Sequence, residues 1–309
     1  MAVYEQLYGA YEGVPQSALS RFLVIPRYAL RDIFKSKLVT GMFLVCFVYP
    51  LIAAILVYLR HNVNAVAILQ IDVLELIPID GSFFRTFMEV QGALAFLLTV
   101  LVAPPLISRD LSNNALPLYL SRPLSRTEYV LGKGTVIAAV LSLVTWIPGL
   151  LIFFFQASLA GTGWLWRNYW IAGSIFLASA VWIILLALIA LAISAVVRWR
   201  VVASGAMLGI FFVPGAMAEI INNLFLTRYG SLISLSATIN NVWAGLFFQF
   251  DRNSGTVQGT VTNPIYDKQF FNMILLEPPL WAAWTVIAAA ALICVWILSR
   301  RVRAYEVIK

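Results

Sequence analysis

Six long apolar runs punctuate the chain, at residues 38–59, 84–106, 130–155, 171–197, 202–225 and 280–298. Each is near or above the roughly 20 residues that a helix needs to cross a bilayer core of about 30 Å. Backbone polar groups in lipid must be satisfied within the segment, so such runs cross as helices. The pattern predicts an all-α membrane protein with six transmembrane helices. The second run ends in Pro104-Pro105, where a helix bends or loosens because proline lacks a donor and crowds the preceding turn. A short stretch with Gly161, Gly163, Trp164, Trp166 and Trp170 reads as a loop in the interfacial aromatic belt.

Two further stretches carry helical periodicity without the length or polarity of a span. In residues 26–37 (PRYALRDIFKSK), Leu30, Ile33 and Phe34, with Leu38 beyond, follow one face, and Arg27, Arg31, Asp32, Lys35 and Lys37 cover the others. Pro26 suits a first helical position. This predicts an amphipathic helix in the headgroup plane, with Arg27, Arg31 and Lys35 toward membrane lipid. A simple positively charged flank is the plainer reading. Residues 231–250 (SLISLSATINNVWAGLFFQF) hold 20 uncharged residues that resemble a seventh span. Leu232, Leu235, Ile239 and Leu246 keep a 3.6 period among Ser, Asn and Thr, which fits a re-entrant or interfacial helix better. Residues 1–37 thus form a tail plus interfacial helix, and residues 38–309 one transmembrane domain.

Charge decides orientation. Hydrophobic residues make up 61% of the chain and charged ones 11%, well below the roughly 25% charged of a soluble domain. With both termini cytoplasmic, only six of the 21 Lys and Arg fall outside: Arg60, Arg85, Arg167, Arg228, Arg252 and Lys268. The positive-inside rule favours that arrangement, and a seventh span would place Arg300, Arg301 and Arg303 on the wrong side. The net charge of +7 follows from membrane topology and gives no reason to invoke nucleic acid.

Catalytic chemistry is not written here. The two cysteines, Cys46 and Cys294, lie in apolar runs and read as buried thiols, and the single histidine, His61, has no clustered ligands. Gly132-Lys133 lacks the earlier glycine of a phosphate-binding loop, because Thr127 stands there. The chain should therefore bind neither ATP nor metal by itself. Glu219 lies about 26 Å along the fifth run, and Glu89 is near the outer end of the second. Neither is at mid-membrane, where a carboxylate would mark an ion relay. Solvated helix ends are their plainer role, contact with a transported molecule the sharper one. Gly205 and Gly209 have the small-xxx-small spacing of close helix packing, and Pro214-Gly215 offers a bend.

The most polar inner stretch is residues 107–133 (ISRDLSNNALPLYLSRPLSRTEYVLGK). It is longer than reversal requires. Residues 110–120 can form a surface helix with Asp110 near its N-terminus, where negative charge is favoured. Arg122, Arg126 and Lys133 can pair with acidic protein groups or anionic lipid. This reads as a cytoplasmic hinge on which another protein pushes, the plainer reading being a lipid-anchoring loop.

At these residues the chain resembles a permease of the ABC type-2 transporter family. The resemblance rests on Asp110, on the stretch from Leu116 to Leu120, and on Pro123-Leu124-Ser125-Arg126 followed by Leu131-Gly132-Lys133. The family usually has Glu where this chain has Asp110, one methylene shorter. The resemblance implies two permease copies, identical or related, above two separate ATP-binding-cassette ATPase subunits that bind ATP and Mg. It implies a coupling helix at residues 110–120, with Arg109, Asp110, Leu116, Leu118, Tyr119, Leu120, Arg122 and Arg126 facing the ATPase. It also implies a bacterial inner-membrane exporter, with room for extracytoplasmic or membrane partners at residues 60–82 and 226–279. The alternative is an anchor or scaffold that recruits a cytoplasmic partner and transports nothing. An anchor should tolerate bulky changes at Gly205, Gly209 and Pro214.

Overall fold

The computed structural model describes residues 18–62, 78–112, 126–197, 199–251, 253–261 and 269–301. Helix α1 (Ala18–Ile33) is followed by α2 (Lys37–Val45) and α3 (Val48–His61), which together make the first span. The second span is α4 (Gly81–Val102), continued past a break by α5 (Pro104–Ser112). The third is α6 (Arg126–Val144) and α7 (Trp146–Ala160). The fourth is α8 (Thr162–Val196), the fifth α9 (Arg200–Phe225) and the sixth α11 (Leu280–Arg301). These six, and among the described residues only these, are long and apolar enough to cross a membrane. Between the fifth and sixth lie a 3-10 turn (Tyr229–Ile233), α10 (Leu235–Leu246) and an antiparallel hairpin of β1 (Asn253–Val261) and β2 (Gln269–Leu276).

The second, third and fourth spans are inner posts, 61%, 56% and 67% buried, whereas the first, fifth and sixth are 22%, 22% and 28% buried. The fourth packs against the second, third, fifth and sixth. Lipid tails are as apolar as leucine, so hydrophobicity alone does not pull these helices together; close packing and interhelical hydrogen bonds do. The fourth span accordingly buries Ala178, Ser179, Ala187, Ala190 and Ser194. Its Trp182 Nε1 donates to Gly92 O at 3.0 Å, and Trp243 Nε1 of α10 donates to Ala178 O at 3.2 Å. Ser174 Oγ donates to Leu246 O at 2.7 Å, satisfying a carbonyl in the last turn of α10.

Several sequence expectations change in detail. Pro26 is not at a helix start: α1 begins at Ala18 and carries Pro26 in its interior, buried beside Ile25. Its buried face is Ile25 and Ile33, while Phe34 and Leu38 lie past its end and are exposed. Residues 161–170 are no loop. Gly161 makes the turn by itself, at φ +87°, and the tryptophans dock the extended helix, Trp164 against Phe153 and Trp170 against Phe248. With 35 residues, α8 is about 52 Å long and overruns the bilayer core. At 12 residues, or about 18 Å, α10 is too short to span. The hairpin is an addition: the membrane-spanning part is all helix, but the segment between the fifth and sixth spans is not.

The second span starts from a strong cap. Asp80 Oδ1 accepts from Ser82 N at 2.8 Å, Phe83 N at 3.3 Å and Ser82 Oγ at 2.6 Å. Asp80→Ala should lower stability by about 1 kcal/mol, read as a lower unfolding midpoint in detergent, with Asp80→Asn recovering most of it.

Candidate functional site

Three segments converge where the second span ends and the third begins. Helix α5 follows the break at Ala103 and carries Asp110. The first turns of α6 bring Tyr129 and Lys133 alongside. Tyr129 Oη donates to Asp110 Oδ2 at 2.7 Å, and Lys133 Nζ pairs with the same oxygen at 2.9 Å. Asp110 and Lys133 side chains are 15% and 9% exposed, so this is a largely desolvated pair. Lys133 Nζ also lies 5.7 Å from the centroid of the Tyr129 ring. The shorter Asp carboxylate thus reaches both partners.

Asp110 lies within helical α5, and the rest of the expected coupling helix, residues 113–120, lies outside the described residues. The Asp110 carboxylate is held by Lys133 and Tyr129, nineteen and more residues on. Asp110 therefore joins the two ends of the 107–133 segment to each other.

Helix α1 completes the site. It packs along α6, and the contact is set by Gly132: a Cβ there would meet Ile25 at 3.3 Å. The three residues Leu131-Gly132-Lys133 therefore have three surroundings. Leu131 is exposed, Gly132 lets α1 approach, and Lys133 neutralises Asp110. A cavity of about 580 Å³ remains between α1, the end of the second span and the start of the fifth; Tyr28, Asp32, Lys35, Asp110, Lys133 and Arg200 line it. On α1, Arg27 and Arg31 are exposed, and Lys35, just past its end, pairs with Asp32 at 3.3 Å.

Other predicted residues fall elsewhere. Leu116, Leu118, Tyr119, Leu120 and Arg122 lie outside the described residues, while Arg109 is within α5 and Arg126 opens α6. Glu89 pairs with Arg85 at 3.0 Å and opens onto an aromatic-walled cavity of about 230 Å³, with Phe96, Trp182, Phe211 and Trp243. Glu219 is exposed on the fifth span and accepts from Asn223 Nδ2 at 3.5 Å. Gly205 and Gly209 are not packed tightly within this chain, because a Cβ on either would meet open space. Pro214 lies inside a continuous α9.

Tyr129, Trp182, Trp243 and Gln91 were missed from sequence. Gln91 alone left a trace: an amide inside a span, with prolines in two neighbouring spans. It is fully buried, and its Nε2 donates to Cys46 O at 2.7 Å and Val144 O at 2.6 Å.

No curated protein matches the chain closely enough to count as a relative. The family model of the ABC-2 family transporter proteins matches residues 25–240. That stretch begins on the buried face of α1, contains the Asp110–Lys133 junction and five of the six spans, and ends within α10. The chain belongs to the ABC-2 transporter family and is the membrane-spanning permease part of such a transporter.

Proposed function

We propose that this chain is the permease of an ATP-driven exporter in a bacterial inner membrane, with both termini cytoplasmic. ATP and Mg are bound and used by a separate ATP-binding-cassette subunit, which docks at residues 107–133. The observation that carries this reading is the buried Asp110–Lys133 pair with Tyr129. It clamps the two roots of the segment, so a force on residues 113–125 is passed to the second and third spans together. Ser194 and Ser204, which donate to Ala103 O at 3.4 Å and Val100 O at 3.0 Å, tie the break above α5 to the fourth and fifth spans. Coupling requires that the ATPase interact differently with two arrangements of these spans. Six crossings put Arg27, Arg31, Arg200, Arg300 and Arg301 on the same side as Asp110, which supports the orientation by the positive-inside rule.

A second permease copy would cover the fifth span. Its Val201, Val202, Phe212, Val213 and Met217 are exposed, and Gly205 and Gly209 leave room for a neighbour. Glu89, with its aromatic cavity, is the proposed contact for transported molecules at the outer end.

The test is to purify tagged chain from its native membrane in mild detergent and assay ATPase activity in the eluate. Wild type should bring down an ATPase. Asp110→Lys should lose or uncouple it, and Asp110→Lys with Lys133→Asp should recover most of the coupling. If wild type brings down no ATPase, the exporter reading fails and the anchor reading replaces it. If the swap behaves no better than the single change, Asp110 acts by touching the partner and not by holding Lys133.

A further inference from the structure

The first and third spans are broken at matching places, and one side chain serves both breaks. The regular helix of the first span is interrupted by a turn at Cys46 and Phe47, and that of the third at Thr145, where the backbone leaves helical angles (φ −102°, ψ −91°). In an α-helix the carbonyl of residue i accepts from the N–H of i+4. For Cys46 that residue is Pro50, and for Val144 it is Pro148, neither of which has an N–H. The two carbonyls freed by these prolines are the two that Gln91 Nε2 reaches, at 2.7 and 2.6 Å. Both acceptors being carbonyls, they fix the amide orientation, since a flipped Gln91 would turn Oε1 toward them. Its Oε1 is buried without a protein donor among the described residues.

The packing changes across this point. Beyond the breaks, α3 and α7 lie against each other. Before them the two spans part: α2 and α6 both lie on the second span, and α6 also packs on α1 and the fourth span. At and just past the breaks an apolar groove of about 520 Å³ lies between the two spans, lined by Phe47, Pro50, Leu51, Ile147, Pro148 and Leu151. Both prolines therefore line the space between the two outer halves, next to the breaks. The second span repeats the arrangement: Val100 O loses its donor to Pro104, and Ser204 Oγ supplies one at 3.0 Å.

We propose that Gln91 is a hinge pin for transport, a positioning residue that holds the carbonyls freed by Pro50 and Pro148. The paired outer halves of the first and third spans then tilt as one unit on it. A side-chain donor suits this task better than a helical N–H, because a glutamine can follow two carbonyls through a small rotation where a fixed backbone donor would straighten the helix. The proposal rests on the exporter reading for what drives the tilt, but its core is a property of the chain alone.

The experiment uses full-length chain with its co-purified ATPase. Gln91→Met keeps length and volume but removes both donors, and it should lower the unfolding midpoint by about 5–10 °C, since two buried carbonyls lose their partner. Adding Pro50→Ala and Pro148→Ala returns backbone N–H groups and should bring the midpoint back close to wild type. Movement is read by spin labels placed across the breaks, on Leu44→Cys of α2 and Leu151→Cys of α7, both exposed, with Cys46→Ala and Cys294→Ala as background. The label distance should change on trapping with a non-hydrolysed ATP analogue in the Gln91 protein, and stay fixed in the rescued triple variant. An unchanged midpoint in Gln91→Met overturns the pin. A distance that changes equally in the triple variant reduces Gln91 to a packing role and overturns the hinge. Failure of the exporter reading appears separately, as the absence of an ATPase, and leaves the midpoint cycle to decide the pin.

Discussion

Lys133→Met should be among the most damaging single changes in this protein. It keeps the aliphatic stem against Tyr129 but leaves the Asp110 carboxylate largely buried with, among the described residues, the Tyr129 hydroxyl as its donor. Removing one partner of a buried pair typically costs about 3–5 kcal/mol, because the remaining charge is uncompensated. The loss should appear as low yield of folded protein and a lower unfolding midpoint in detergent. Asp110→Asn in the same chain removes the stranded charge, so the double variant should be more stable than Lys133→Met alone. Equal stability of the single and double variants would show that Asp110 does not depend on Lys133. Coupled ATPase activity should stay low even in the stabilised double variant, because the clamp between the two roots of the 107–133 segment is gone.

Gly92→Leu should be the other severe change. Gly92 lies where the second span meets Trp243 of α10 and Trp182 of the fourth span. A Cβ there would overlap the Trp243 ring, and Trp182 Nε1 would be 3.4 Å away. Both neighbours are bulky, buried and held by hydrogen bonds, Trp182 to Gly92 O itself. Even Gly92→Ala should cost about 1–3 kcal/mol through overpacking, and Leu more, with α10 pushed off the bundle. Limited proteolysis would show faster cleavage between the fifth and sixth spans, beside a lowered midpoint. Trp243→Ala makes room, so Gly92→Ala should cost clearly less in that background. An undiminished cost would place the strain elsewhere than at Trp243.

The two effects differ in what they disturb. Lys133 belongs to the end of the molecule where α1, α5 and α6 meet, and its loss is electrostatic. Gly92 belongs to the crossing of the second and fourth spans with α10, and its loss is steric. A protein whose inner posts are packed through glycine, alanine and serine has little slack at such crossings.

Apolar run length by itself determined the number of spans, because an uninterrupted stretch of about 20 apolar residues has few alternatives to crossing a bilayer. The positive-inside rule and a 3.6 period among polar residues kept residues 231–250 out of the span count, and the motif from Asp110 to Lys133 pointed to the family that the match over residues 25–240 then established. Local sequence marked Pro104-Pro105 as a break, since proline acts within its own turn. It could not show that Asp110 is held by Tyr129 and Lys133, because those partners are distant in the chain. Nor could it show that Gly205 and Gly209 face open space while Gly92 is crowded: small residues are equally permissive everywhere, and only the neighbouring helix decides which are used. The joining of Pro50 and Pro148 through Gln91 depended entirely on tertiary structure. A freed carbonyl is a local fact of sequence, but which side chain comes within 3 Å of it is fixed by how the spans pack.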